Sequence, residues 1–293
     1  MIGIATATQK PASATLCATV QKLARMTWKY IEDGEGSGLR ISEESITEVN
    51  LLHLWRKHSQ HVFTTKYSRR IEGTSTGADW EWWLTNVGQT KWLGLRVQAK
   101  RILDDKYAHI NHFSRGQYQI DRLIGSASTT TAGDSRRREP VYIFYNYFAS
   151  VQFPLRQISA LSLPCCLAEY DILNTDVKLW GCTIASAHAL KKIGPKSRAN
   201  ARSILRRSVP LHCLFCRSNS VGRQPALSDL VDRVADTLGV LSGDPDPGDP
   251  DLRVAVYRDP PNYVLAMIRP GIPVRPPSGL NCVVVTIEPQ DQG

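Results

Sequence analysis

Gly77-Ala78-Asp79-Trp80-Glu81-Trp82-Trp83 is followed, after a turn, by Leu95-Arg96-Val97-Gln98-Ala99-Lys100-Arg101. Both segments alternate with the period of two that marks a strand with unlike faces. Asp79, Glu81 and Trp83 point one way, Trp80 and Trp82 the other. In the second segment Leu95, Val97 and Ala99 form an apolar side and leave Arg96, Gln98 and Lys100 together. A hairpin turning near Val87 and Gly88 sets Asp79 opposite Arg96 to Gln98, within about two residues of register. An acid, an amide and an amine therefore converge.

Working outward, Val62–Tyr67 reads as a further strand. With Ala78–Leu84 and Leu93–Ala99, joined by a turn at Asn86–Gln89, it makes an antiparallel meander. Upstream, Leu16, Val20, Leu23, Thr27 and Ile31 recur at helical spacing until Gly34, Gly36 and Gly38. Ser42 caps a second helix whose first turn holds Glu43 and Glu44, suited to the positive end of the helix dipole. Downstream come a helix over Gly116–Ala127 and an aromatic strand over Val141–Phe148. Then follow a helix over Thr183–Ile193, an arginine-rich helix over Ser197–Arg207 and a strand at Leu211–Phe215. A helix at Leu227–Leu238 leads to strands at Leu252–Tyr257 and Tyr263–Ile268. These readings predict an α/β protein with a mixed sheet and helices on both faces. They divide it into a loose tail at 1–13, a main domain at 14–220 and a small C-terminal appendage at 221–293 with a Pro/Asp/Gly linker at 242–251.

The 293 residues suffice for a full core, and 42% hydrophobic with 22% charged residues excludes a disordered or fibrous chain. A net charge of +9 favours a polyanion such as nucleic acid. No run approaches the ~20 apolar residues of a membrane span, and the N-terminus lacks a signal-peptide layout. The expectation is a cytoplasmic protein without a membrane partner. Seven scattered cysteines fit reduced thiols better than a disulfide framework.

Hydrolysis of a phosphodiester calls for a divalent ion to neutralise the phosphate and supply hydroxide, and carboxylate and amide oxygens suit magnesium. A lysine nearby can orient the water or stabilise developing charge. The spacing of Asp79 and Val97-Gln98-Ala99-Lys100-Arg101 resembles the core of Mrr-like restriction endonucleases in the PD-(D/E)XK superfamily, where Gln often replaces the second acidic residue. The element order over about residues 40 to 150 is similar to that superfamily's restriction-endonuclease-like core. The resemblance implies a metal ligand at Asp79, a second ligand or water-positioning group at Gln98 and a catalytic lysine at Lys100. It also implies a carboxylate from the first core helix, assigned to Glu44 with Glu43 and Glu48 as rivals. Mg2+ or Mn2+ is the implied cofactor, DNA rather than RNA the implied partner, and bacterial defence the implied setting. Oligomeric state stays open, a homodimer included. The superfamily's leading Pro is replaced by Ala78, Gln98 brings no charge, and the tryptophan-rich segment is unusual, which together mark a divergent branch.

Around this centre, Glu81 either completes the metal site or pairs with Arg96, and Glu72 is a further candidate ligand. Trp83, on the Asp79 face, is the candidate base-stacking contact, while Trp80 and Trp82 pack in the core. Arg96, Arg101 and Gln119 are candidate nucleic-acid contacts. Arg198, Arg202 and Arg206 recur every fourth residue, as a phosphate-gripping stripe or a solvated basic face. Arg136 to Arg138 read as a solvated loop. Cys213 and Cys216, beside His212, raise a zinc-site alternative, against which a buried strand with small apolar cysteines is the expectation. The alternative function is a non-catalytic nucleic-acid-binding or interaction module on the same fold.

Overall fold

Helix α1 (Leu16–Ser37) starts where the Thr15 hydroxyl accepts from the Ala18 N–H. It runs through Gly34 and Gly36 and stops only at Gly38, whose φ of +73° no β-carbon opposes. In this computed structural model residues 15–66, 76–104, 106–128, 134–148, 176–216, 229–243, 254–269, 271 and 281–290 are described. Helix α2 (Glu43–Lys57) is capped by Ser42, which accepts from the Ser45 N–H at 3.1 Å, with Glu43 and Glu44 in its first turn and Arg56 and Lys57 in its last.

The chain continues through β1 (Val62–Lys66), β2 (Trp80–Thr85), β3 (Trp92–Arg101), a hairpin of β4 (Phe113–Ser114) and β5 (Gln117–Tyr118), α3 (Gln119–Ser128) and β6 (Glu139–Tyr145). It then forms β7 (Cys182–Ser186), α4 (Ala187–Lys191), α5 (Pro195–Ala199), α6 (Ala201–Leu205), β8 (Ser208–Pro210), α7 (Leu230–Ser242), α8 (Asn262–Ile268) and β9 (Cys282–Ile287). Seven strands make a mixed sheet in the order β1–β9–β2–β3–β6–β7–β8. β2 and β3 are antiparallel with Trp80 opposite Val97, as the alternation predicts; β3 and β6 are parallel with Gln98 beside Tyr142.

The expected three-strand meander is corrected, because β9 lies between β1 and β2, antiparallel to the first and parallel to the second. Cys282-Val283-Val284-Val285-Thr286-Ile287 is a β-branched run without polar alternation, the composition of a strand buried on both faces. The last strand is therefore interior to the sheet, and this part of 221–293 is no appendage. Tyr263–Ile268 is helix α8, led in by Pro261, and of the expected strand at Leu252–Tyr257 the described residues show one bridge, Tyr257 to Trp92. Thr183–Ile193 divides into β7 and α4. The arginine-rich helix breaks at Asn200, whose ψ of 123° is extended and whose side chain caps α6 through the Ser203 N–H. Leu211–Phe215 is a 3-10 turn, not a strand. The N-terminal tail and nearly all of the 242–251 linker lie outside the described residues.

Both faces of the sheet are covered. Trp80, Trp82, Leu95, Val97, Ala99 and Val284 pack beneath α1, α2 and α7. Trp83, Trp92, Tyr142, Phe144, Val283 and Val285 pack beneath α3, α4, α6 and α8. α1 passes so close to the segment before β7 that a β-carbon on Gly181 would stand 2.0 Å from the Ala24 carbonyl oxygen. No helix among the described residues is long and apolar enough to cross a membrane.

Candidate active site

Asp79 precedes β2 by one residue, and its N–H donates to the Val97 carbonyl at 2.8 Å, which prolongs the β2–β3 pairing and sets Asp79 beside Gln98. Gly77 makes this approach: its φ is +70°, and a β-carbon there would lie 2.8 Å from the Gln119 carbonyl at the start of α3. Asp79 Oδ2 accepts from the Ala99 N–H at 2.7 Å and from Gln98 Nε2 at 2.6 Å. Gln98 Oε1 accepts in turn from Gln119 Nε2 at 2.7 Å. Two residues along β3, Lys100 Nζ donates to Glu43 Oε1 at 3.5 Å, while Glu43 Oε2 accepts from the Arg101 N–H at 3.1 Å.

Gln98 and Lys100 are 2% and 4% exposed, whereas Asp79 is half-buried and keeps a route to solvent. Burial lifts the Asp79 carboxyl from 3.8 to about 7, and the nearby Glu43 charge adds to the rise. Lys100, the Ala99 N–H and Gln98 oppose it without cancelling it.

The structure brings together Asp79, Gln98, Lys100 and Gln119, and corrects the helix carboxylate. Glu44 is exposed, and Glu43 reaches Lys100 instead. Glu48 pairs with Lys66 on β1. Since α2 starts at Glu43, its first residue turns back toward β3 while the next faces outward, a difference of one position that helical periodicity alone does not decide.

Glu81 is corrected as a metal ligand. It is fully buried, with Oε2 accepting from Arg96 Nε at 2.9 Å and Arg138 Nε at 3.1 Å, and Oε1 from Trp83 Nε1 at 2.6 Å and the Tyr263 hydroxyl. Both oxygens are occupied by donors that hold the sheet to α8. Arg96 and Trp83 are consumed by the same cluster: Arg96 is 3% exposed, and Trp83 lies buried under the Arg138 guanidinium, 5.3 Å from its ring centre. Both side chains are committed to partners inside the fold, Arg96 to Glu81 and Trp83 to Glu81 and Arg138. Arg138 is no solvated loop residue either, being bound also to Asp134 and Tyr263.

Arg101 braces the α1–α2 connection, donating to the Ile41 carbonyl at 2.7 Å and pairing with Glu35 at 3.6 Å. Arg198, Arg202 and Arg206 form no single stripe, because the break at Asn200 separates Arg198 from the others. Arg198 is buried, whereas Arg202 and Arg206 are exposed. Glu72 lies outside the described residues. Cys213 and Cys216 are buried in the 3-10 turn, with Cys216 Sγ 2.9 Å from Cys17 Sγ. Among the described residues no group of three or more His, Cys, Asp or Glu side chains is arranged to hold a metal.

A hard divalent ion fits the Asp79 centre through a mixed donor set rather than an all-acidic one. Asp79 and Glu43 are neighbouring carboxylates, and burial foremost, with the Glu43 charge adding to it, makes ionised Asp79 costly in the absence of a further cation. The Gln98 amide and the Ala99 carbonyl, 2.9 Å apart, supply neutral oxygens beside them. Gln119 Oε1 is buried without a hydrogen bond among the described residues, so if the Gln98 and Gln119 amides both turn end for end, the Gln98 N–H meets Gln119 Oε1 and the Gln98 oxygen faces Asp79.

Sequence reasoning missed Tyr142, which stands beside Gln98 only through the parallel β3–β6 register, and the partners of Glu81 from residues 134, 138 and 263. No curated protein and no solved structure matches the chain. One family model covers residues 16–289, and the chain accordingly belongs to that family, DUF6615, a family of unknown function.

Proposed function

We propose that this chain is a metal-dependent nuclease that hydrolyses nucleic-acid phosphodiester bonds on a restriction-endonuclease-like core. The observation that carries the reading is the meeting of Asp79, Gln98, Lys100 and Glu43 at one end of β3, with Asp79 bonded to Gln98, Lys100 to Glu43, and the two acids partly open to solvent beside the buried amide and amine. The element order, the Asp79…Gln98-Ala99-Lys100 spacing and the net charge of +9 support it.

Asp79, Gln98 and Glu43 would hold Mg2+ or Mn2+, which when bound neutralises the phosphate and makes water a competent nucleophile at neutral pH. The protein's own groups do the rest. Lys100 Nζ rests on Glu43 through a long 3.5 Å contact that a phosphate oxygen or attacking water can replace, so its charge is available where the transition state becomes more negative. Gln98 and Gln119 hold Asp79 in place, and burial of the cluster strengthens each of these charges. Because cation binding requires the Asp79 carboxylate and its pKa is about 7, metal affinity rises with pH through neutrality. DNA is the substrate favoured by resemblance.

The test is incubation of the purified protein with plasmid, single-stranded DNA and RNA in magnesium, manganese or EDTA, beside Asp79→Ala and Lys100→Ala. Cleavage that needs metal and both side chains is expected; cleavage indifferent to both substitutions overturns the assignment. One observation favours a second reading, a non-catalytic nucleic-acid-binding module: Asp79 Oδ2 and the Gln98 amide already satisfy each other internally. That reading predicts binding that survives EDTA and Lys100→Ala, with no cleavage.

A further inference from the structure

Next to Gln98 on the same side of the sheet stands its register partner Tyr142, fully buried, its hydroxyl without a hydrogen bond among the described residues. Arg198 approaches from α5 at 5% exposure, its guanidinium carbon 5.8 Å from the ring centre of Tyr118, the residue before Gln119. Its Nε and Nη1 are buried and donate to nothing among the described residues. Arg122, one turn along α3 from Gln119, directs Nη1 to the Ser114 carbonyl and hydroxyl at 2.7 Å and leaves Nε buried and unused. Neither arginine has a carboxylate partner among the described residues. Asp121, which also acts on the Tyr142 hydroxyl together with Arg198, Arg122 and Asp79, is held by Lys191 at 2.9 Å.

Buried guanidinium groups with no ion pair of their own are costly, and a planar fork of N–H donors matches the oxygens of a phosphate bidentately, as it does those of a carboxylate. The arrangement is also fixed in advance. The Tyr107 N–H donates to the Ala199 carbonyl at 3.0 Å and Asn111 Nδ2 to the Pro195 carbonyl at 2.6 Å, pinning α5 at both ends. We infer that Arg198, Arg122 and the Tyr142 hydroxyl form a phosphate-binding station beside the Asp79–Gln98 centre, which takes a phosphate of the strand neighbouring the scissile one. The assignment to a nucleic-acid strand rests on the nuclease reading; the anion site does not.

Calorimetric titration of the full chain with inorganic phosphate, in EDTA and low salt at pH 7.5, tests it. Arg198→Met should raise the phosphate Kd at least tenfold and Tyr142→Phe, which removes only the hydroxyl, several-fold, whereas Asp79→Asn should leave it unchanged or lower it. No binding by the wild-type protein, or an equal Kd in wild type and Tyr142→Phe and Arg198→Met, overturns the site. If Arg198→Met does not fold, Arg198→Lys with Tyr142→Phe decides: the double variant must bind at least tenfold more weakly. Adding a short DNA duplex to the phosphate-loaded protein identifies the source. Displacement of phosphate supports the strand, and failure to displace it overturns the nucleic-acid assignment in favour of a small phosphate ester. A protein that cleaves nothing yet loses phosphate binding with Arg198 retains this site without the nuclease reading; metal-dependent cleavage with unaltered titration in every variant sinks the site alone.

Discussion

Replacing Glu81 by Gln separates a structural carboxylate from a catalytic one. The wild-type side chain is fully buried and faces the guanidinium groups of Arg96 and Arg138 at 2.9 and 3.1 Å. Glutamine keeps the shape but removes the charge, and whichever way the amide turns it presents N–H groups toward neighbours that are themselves donors. Arg138 retains Asp134 as a partner, but Arg96 loses the only salt bridge it forms among the described residues. Breaking a buried pair from one side costs about 3–5 kcal/mol, a large share of the roughly 5–15 kcal/mol that holds a domain folded. The expected loss is about 10 °C in Tm, at roughly 2–4 °C per kcal/mol for a chain of this order of size. Thermal unfolding followed by circular dichroism measures the Tm, and urea denaturation the free energy. Adding Arg96→Met to Glu81→Gln should recover part of the loss, because the stranded cation goes with it. Metal-dependent cleavage, assayed well below the lowered Tm, should persist. A Glu81→Gln protein with wild-type Tm and no cleavage would refute the reasoning and return Glu81 to the metal site.

Asp79→Asn should stabilise the metal-free protein at high pH. A carboxyl with a folded pKa of about 7 against 3.8 unfolded costs nothing below about pH 4, weakens the fold as pH rises from there to 7, and costs a constant amount above. At ~1.4 kcal/mol per unit the ceiling is about 4 kcal/mol, and the solvent route to Asp79 reduces it to about 2 kcal/mol. Denaturation in EDTA at pH 5 and pH 8.5 checks this, and equal differences at both pH values count against it. Gln98→Glu places a third acid in the cluster and should strengthen magnesium binding about tenfold while lowering Tm in EDTA, read by thermal melts across a magnesium series; no change in either contradicts the donor set. Gly181→Ala should cost about 3 kcal/mol or more, because the new methyl meets rigid α1 backbone rather than a movable side chain, and a Tm within 2 °C of wild type would show that α1 shifts freely.

What the sequence made legible were the features that local periodicity encodes. The β2–β3 register, the Ser42 cap and the sharing of one face by Asp79, Glu81, Gln98 and Lys100 follow from period two, cap chemistry and a short turn. The errors fall where a distant partner overrides local preference. Tyr263 to Ile268 has the composition of a strand, yet Pro261 fixes the entry to a helix whose Tyr263 hydroxyl is drawn to Glu81. β9 is a run of β-branched residues that pairs across more than 190 positions with β2, and no turn signal points to such a neighbour.

The site shows the same limit more sharply. Asp79 and Glu81 are the same kind of group one strand step apart on one face, and alternation treats them alike. What makes them different is what lies opposite. Asp79 sits next to Gln98, and burial lifts its pKa to about 7 because Lys100, the Ala99 N–H and the Gln98 amide offset only part of the cost, while Glu81 sits opposite Arg96 with Arg138 added from the next strand's approach. One carboxylate is therefore neutralised by the fold and serves to hold it together. The other is half-buried at an opening to solvent, with burial outweighing the groups that favour its charge, and it is the acid to which the proposed function assigns the metal. That division of labour between two neighbouring acids is a property of pairing partners, and it becomes readable only when the register of β2 on β3 and the path of the chain through Arg138 and Tyr263 are both known.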